Sequence, residues 1–226
     1  MTKAVRISEA DIQRVTDAVT AAEARSDAEI ATIVSERSDG YHDVPLLWAA
    51  LVALLALAVY AAFPDFTIGL LDRITGGWHV WTTREWMTTI VFATAIKFLV
   101  THAIVGWWPL RMAFTPARTK TRRARARAIT LFKASTEHRT RSRTGVLVYL
   151  SLAEHRAEIV ADEAIVARVP AEAWGDAMAR LIDELRAGRP GEGMAAAAAA
   201  IGDVLAEYFP RTGTDPDEIP NRMIYL

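Results

Sequence analysis

The chain has 226 residues, 52% of them apolar and 23% charged, which fits a folded protein and excludes a disordered one. Its net charge of −1 gives no general attraction to nucleic acid, and the lack of cysteine removes disulfides, thiolate metal sites and cysteine nucleophiles. The charge is unevenly spread: Lys/Arg against Asp/Glu runs five to nine over residues 1–43, eleven to one over 111–143, and seven to fourteen over 144–226.

The opening stretch MTKAVRISEADIQRV has no apolar core before its first acids, so no signal peptide is expected. Ser8, with Asp11 three residues on, predicts a capping box, and Ile12, Val15, Val19 and Ala22 then fall on one helical stripe. Glu29 to Glu36, EIATIVSE, alternates poorly, but its Ile, Thr and Val content predicts a strand. The next seven residues, RSDGYHD, read as a loop.

Val44 to Phe63 is a run of twenty residues without a charge, matching a hydrocarbon core of roughly 30 Å at about 1.5 Å per residue. Trp86 to Leu110 is a second run, interrupted by Lys97 and His102. The two predict a transmembrane helical hairpin over 44–110, with spans of about 44–63 and 86–110. Phe63, Phe66, Trp78, Trp81 and Trp86 would ring its loop end, and Trp48, Trp107 and Trp108 the other. The connecting loop holds only Arg73 and Arg84, whereas Arg111, Arg118, Lys120, Arg122, Arg123, Arg125 and Arg127 follow the second span. By the positive-inside rule both flanks then lie in the cytoplasm and the loop crosses.

After Pro116 the basic stretch turns helical, with Ala117, Ala124, Ala128, Leu131 and Phe132 approximating its apolar stripe. No aromatic residues interleave with the arginines and no nucleic-acid fold signature follows, so anionic lipid headgroups are the partner expected for Arg111, Arg118, Lys120, Arg122 and Arg123. VLVYLSL, the tight connection AEH and RAEIVAD then predict a β-hairpin. A helix is expected from Pro170 to Gly188, with Trp174, Met178, Leu181, Ile182 and Leu185 as its buried stripe. The alanine-rich PGEGMAAAAAAIGDVLAEYF predicts a last helix, and the tail is rich in turn residues.

Helix, strand and helix, followed by RTGVLVYLSLAEHRAEIVAD (Arg143 to Asp162), Trp174, YFPRTG and NRMIYL, resemble the TPM domain family. The resemblance is specific at Arg143 to Asp162, looser over Ile7 to Glu36 and absent over the hairpin. It implies an α/β fold, a small sheet flanked by helices, in which 1–43 and 111–226 form one TPM-like domain with the two-helix transmembrane hairpin inserted. An inserted hairpin needs an even number of spans, because a sheet cannot assemble from strands on opposite sides of a bilayer. Many family members place the domain outside the cytoplasm; the charge bias here argues the reverse, at the bacterial inner (plasma) membrane.

The family is linked to acid phosphatase activity and to divalent cations held by acidic loop residues. Where many members carry Asp-Asn-Gly, this chain has Arg143, Thr144 and Gly145, and Val166 stands where a glutamate is usual. Asp162, Glu163, Asp39 and Asp43 remain as oxygen ligands that could gather for Ca²⁺ or Mg²⁺, against their reading as solvated turn residues. No catalytic residue is assigned. Lys97 and His102 are polar positions inside the second span and lie about 140° apart around the helix, off a common face. Snorkelling, or neutral burial in a homo-oligomer, accounts for Lys97. The expectation is a non-catalytic, membrane-tethered module that meets the lipid bilayer and other membrane proteins; a metal-dependent phosphatase-like hydrolase is the alternative.

Overall fold

The structure, a computed structural model, describes residues 7–77, 80–135, 144–212 and 220–226. It divides into two compact units, 1–39 with 117–226, and 40–116.

The first unit is built on a four-stranded sheet in the order β3-β2-β1-β4. Its strands are β1 (Glu29–Ser35), β2 (Gly145–Ser151), β3 (Arg156–Ala161) and β4 (Ile224–Tyr225). β1 and β2 run parallel in the register Glu29↔Gly145 to Ser35↔Ser151, while β3 returns antiparallel to β2. Every residue of β1 and β2 is buried. That two-sided burial explains the near-continuous apolar character of both strands, where a half-exposed strand would alternate.

Side chains alternate between the two faces of the sheet. Ile30, Val34, Val146, Val148 and Leu150 point to the main core, shared with α1 (Glu9–Glu23), α8 (Gly175–Arg186) and α9 (Pro190–Tyr208). Ala31, Ile33, Leu147 and Tyr149 point the other way, to α6 (Ala117–Ser135). That helix offers Ala124, Ala128 and Phe132 at four-residue spacing, while the predicted stripe members Ala117 and Leu131 are exposed and partly buried respectively. The capping box of α1 is present: Asp11 N–H donates to the Ser8 hydroxyl at 3.1 Å and Ser8 N–H to the Asp11 carboxylate at 3.0 Å. Burial pushes the Asp11 carboxyl up, but hydrogen bonds from the Ser8 hydroxyl and backbone, with Arg14 beside it, outweigh this and hold it below the ordinary value.

Three parts of this unit go beyond the sequence reading. A single helix is expected from Pro170 to Gly188, but Ala171–Trp174 is a 3₁₀ turn before α8 begins. A short helix α7 (Glu163–Val166) follows β3. The turn-rich tail returns as β4, parallel to β1, with Leu226 N–H donating to the Val34 carbonyl at 2.9 Å.

The second unit is a helical hairpin of α2 (Asp43–Ala62) and α4 (Thr83–Gly106), joined through α3 (Pro64–Thr75) and followed by α5 (Trp108–Phe114). α2 and α4 are both long and apolar enough to cross a membrane. Their large side chains face outward: Leu54 is 65% exposed, Phe92 64% and Leu99 63%. The loop expected between the spans contains α3, which Pro64 starts at a position where its missing N–H costs nothing. The second span is also shifted: Thr82 caps it three residues early, and it ends at Gly106 because Trp107 is extended and Pro109 opens the next helix. Of the expected aromatic rings, Trp78 lies outside the described residues.

Around its two ends this unit has a core of its own, with Tyr41, Val44 and Val105 buried among Trp48, Trp108 and Met112. The Arg111 guanidinium joins the ends, donating to the Gly40 carbonyl at 2.8 Å and to the Gly106 carbonyl at 2.6 Å.

α1 approaches α9 closely at Gly202. A Cβ there would stand 3.0 Å from Ala22 Cα and closer still to its Cβ, both rigid. Gly202→Ala should destabilise the domain by about 1–3 kcal/mol despite its better helix propensity. Urea unfolding of the detergent-solubilised chain checks this, and an unchanged midpoint would contradict so close a contact.

Candidate functional site

Because β1 and β2 are parallel, their carboxyl ends open on one edge of the sheet, the edge where open α/β sheets place ligands. Two short loops meet there. The backbone ties them, Leu152 N–H to the Ser35 carbonyl at 3.0 Å and Ala153 N–H to the Glu36 carbonyl at 2.9 Å.

Glu154 is the centre of this edge, only 3% exposed. Its Oε1 accepts Ser38 N–H at 2.8 Å and its Oε2 accepts the Ser151 hydroxyl. The Ser38 hydroxyl lies 3.0 Å from the Tyr149 hydroxyl, and Tyr149 is fully buried. Beside them, Arg123 Nη1 from α6 donates to Asp39 Oδ2 at 2.6 Å. The acids of this edge thus serve as acceptors that fasten one loop to another. Sequence reasoning found Asp39 but passed over Glu154, Ser151, Ser38 and Tyr149. Glu154 stands in a tripeptide that reads as an ordinary turn, and its burial depends on the loop after β1.

Asp162 and Glu163 lie at the opposite edge. Asp162 follows β3 and its Oδ2 accepts Gly145 N–H, the first residue of β2, at 2.8 Å, while Glu163 is exposed on α7. The length of β2, about 20 Å at some 3.3 Å per residue, separates them from Asp39. Asp43 belongs to the other unit, at the start of α2. The structure therefore does not bring Asp162 and Glu163 together with Asp39. Among the described residues no three His, Asp or Glu side chains are grouped to hold a metal ion. Near the Asp162 edge, a cavity of about 160 Å³ is lined by Glu23, Asp27, Glu29 and Arg211. There Glu23 accepts Ile30 N–H at 2.7 Å and Asp27 accepts the Thr212 hydroxyl at 2.6 Å.

The basic residues divide in the same way. Arg111 is occupied by the carbonyls that join the hairpin ends, and Arg123 by Asp39, so neither guanidinium is held out to solvent as headgroup binding requires. Arg125 pairs with Glu158 at 3.2 Å. Arg118, Arg122 and Arg127 are exposed on α6 and Lys120 is half-buried, with no ion pair among the described residues. Within the hairpin, Lys97 Nζ donates to the Tyr60 hydroxyl at 2.7 Å. His102 stacks on Phe98 with ring centroids 6.3 Å apart.

Residues 110–204 match the TPM domain family. That stretch is similar to the TPM domain. The match takes in α6, β2, β3, α8 and most of α9, and β1, from before the hairpin, pairs with the matched β2 to complete the sheet. No curated relative matches the chain. Among solved structures, the BA42 protein from the psychrophilic bacterium Bizionia argentinensis is similar at 15% identity and a TM-score of 0.56, with both chains covered fully. That likeness is one of fold.

Removing the Glu154 side chain would leave Ser38 N–H and the Ser151 hydroxyl without their acceptor. Glu154→Ala is expected to cost about 2–3 kcal/mol of domain stability, with Glu154→Gln recovering part of it. Thermal unfolding of the two variants measures this, and equal loss in both would indicate that charge rather than geometry matters.

Proposed function

We propose that this protein is a non-catalytic, membrane-tethered TPM module, held by a two-span hairpin in the bacterial inner (plasma) membrane with its α/β unit in the cytoplasm. Through the outer face of α6 it engages anionic lipid headgroups and neighbouring membrane proteins. The observation that supports this most directly is the division of labour on α6. Ala124, Ala128 and Phe132 are buried under the sheet, while Arg118, Arg122 and Arg127 remain in solvent. Each such cation near an anionic surface adds on the order of 1 kcal/mol, and the helix begins one residue after Pro116, eleven residues beyond α4. Side chains as apolar and exposed as Leu54 and Phe92 favour hydrocarbon over water by about 1.5–3 kcal/mol each, which supports the spanning reading. The Lys/Arg excess after α4, against Arg73 and Arg84 in the connection, supports the cytoplasmic side. The hydrolase alternative rests on Asp162 and Glu163 with Ca²⁺ or Mg²⁺. Against it, the Asp162 carboxylate already accepts Gly145 N–H.

Three measurements test the reading. A reporter fused at Thr75 should be found outside the cytoplasm; a cytoplasmic result would reverse the topology. With a polarity-sensitive fluorophore on Ala126→Cys, the chain in vesicles should show a blue shift when anionic lipid is added. Replacing Arg118, Arg122 and Arg127 by Gln should abolish it, and so should salt near 1 M, where the screening length is about 3 Å. Hydrolysis of a generic phosphate ester that requires Mg²⁺ or Ca²⁺ and disappears in Asp162→Ala would overturn the non-catalytic assignment.

A further inference from the structure

Lys97 lies about 21 Å along α4 from its start at Thr83 and about 14 Å from its end at Gly106. The side chain of a helical residue leans toward the helix N-terminus, here the more distant end, so reaching the nearer interface is disfavoured. The hydrogen bond to Tyr60 matches that lean, and the ammonium also stands 5.4 Å from the centre of the Tyr60 ring. Tyr60 supplies an oxygen and a π face but no negative charge. Lys97 remains exposed on the surface of the hairpin, so α2 does not enclose it.

Thr94 and Thr101 lie three residues before and four after Lys97, on the same side of α4. The Thr94 hydroxyl is buried and has no hydrogen-bond partner among the described residues. A polar seam of this kind is what membrane helices use to hold one another, and a cation in hydrocarbon normally faces a partner.

We infer that the Lys97 face of the hairpin docks a transmembrane helix of another protein that carries a carboxylate at the depth of Lys97. The inference rests on reading α2 and α4 as membrane spans. Charge complementarity selects the partner's chemistry. Neither apolar run contains an acid between Val44 and Ala62 or between Trp86 and Gly106, so a second copy would bring Lys97 against Lys97.

The test uses the full chain in zwitterionic vesicles, labelled with a donor fluorophore on Asp65→Cys, the only cysteine then present. The probe is an acceptor-labelled, leucine-rich transmembrane peptide with one glutamate at its middle. Energy transfer should report association roughly tenfold tighter than with the all-leucine peptide, the size expected for one interhelical polar contact. Lys97→Leu should remove that difference, and so should moving the glutamate to the peptide's end. Equal association of the glutamate and leucine peptides, or persistence in Lys97→Leu, would overturn the inference and leave Lys97 to lipid headgroups. Transfer between two copies of the chain that is unchanged by Lys97→Leu, with none to the peptide, would overturn it in favour of self-association. Failure of the chain to float with vesicles after alkaline extraction would instead sink the spanning reading, and this inference with it.

Discussion

The parallel pairing of β1 with β2 is the constraint on which the remaining structure depends. Its seven-residue register joins Glu29–Ser35 to Gly145–Ser151, so everything from Glu36 to Thr144 must leave one end of the sheet and return to the other. A parallel pair always needs a crossover, and α6 provides it here, lying across the sheet face made by Ala31, Ile33, Leu147 and Tyr149. The hairpin is a detour taken before that helix begins. Residues 40–116 can be interposed only if their two ends come back together, since the β1–β2 ladder flanks them in the chain.

Each unit holds those ends by its own means. In the hairpin unit, Arg111 links the Gly40 and Gly106 carbonyls, and Tyr41 is buried against Val44, Val105 and Trp108. The arginine also satisfies a carbonyl in the last turn of α4, which a helix terminus leaves without a partner. In the sheet unit, Asp39, the last residue before the hairpin, pairs with Arg123 in the second turn of α6. Departure and return are therefore fastened in both units, by charge in the sheet unit and by aromatic packing with one guanidinium in the hairpin unit.

The same economy shapes the carboxyl edge of the sheet. Glu154, Ser151, Ser38 and Tyr149 form a connected, nearly solvent-free network, and such a network rigidifies loops when its members are satisfied. The polar residues of this edge fix the point at which the hairpin departs. Arg118, Arg122 and Arg127, which have no ion pair among the described residues, are exposed on α6, whose Ala124, Ala128 and Phe132 are buried.

Local pattern made much of this legible. The capping box of Ser8 and Asp11, the stripe Val15, Val19 and Ala22, the strands β2 and β3 and the charge-free run after Val44 each follow from spacing within a few turns of chain. The fold and the likeness to the TPM domain were readable because burial periodicity and turn residues are written locally. Other features are set by partners distant in sequence. Ile224 and Tyr225 become a strand only because β1 has a free edge, and the turn residue Glu154 becomes buried only because Ser38 folds over it. Likewise Arg111 and Arg123 belong to the basic run by composition, yet carbonyls at Gly40 and Gly106 and the carboxylate of Asp39 claim them. The sequence by itself determined which segments are strand, helix and membrane-length run, because those depend on neighbouring residues. Tertiary structure alone decided which charges are used up inside the protein and which remain outside, because a long side chain takes the nearest partner in space, and that partner can lie eighty residues away.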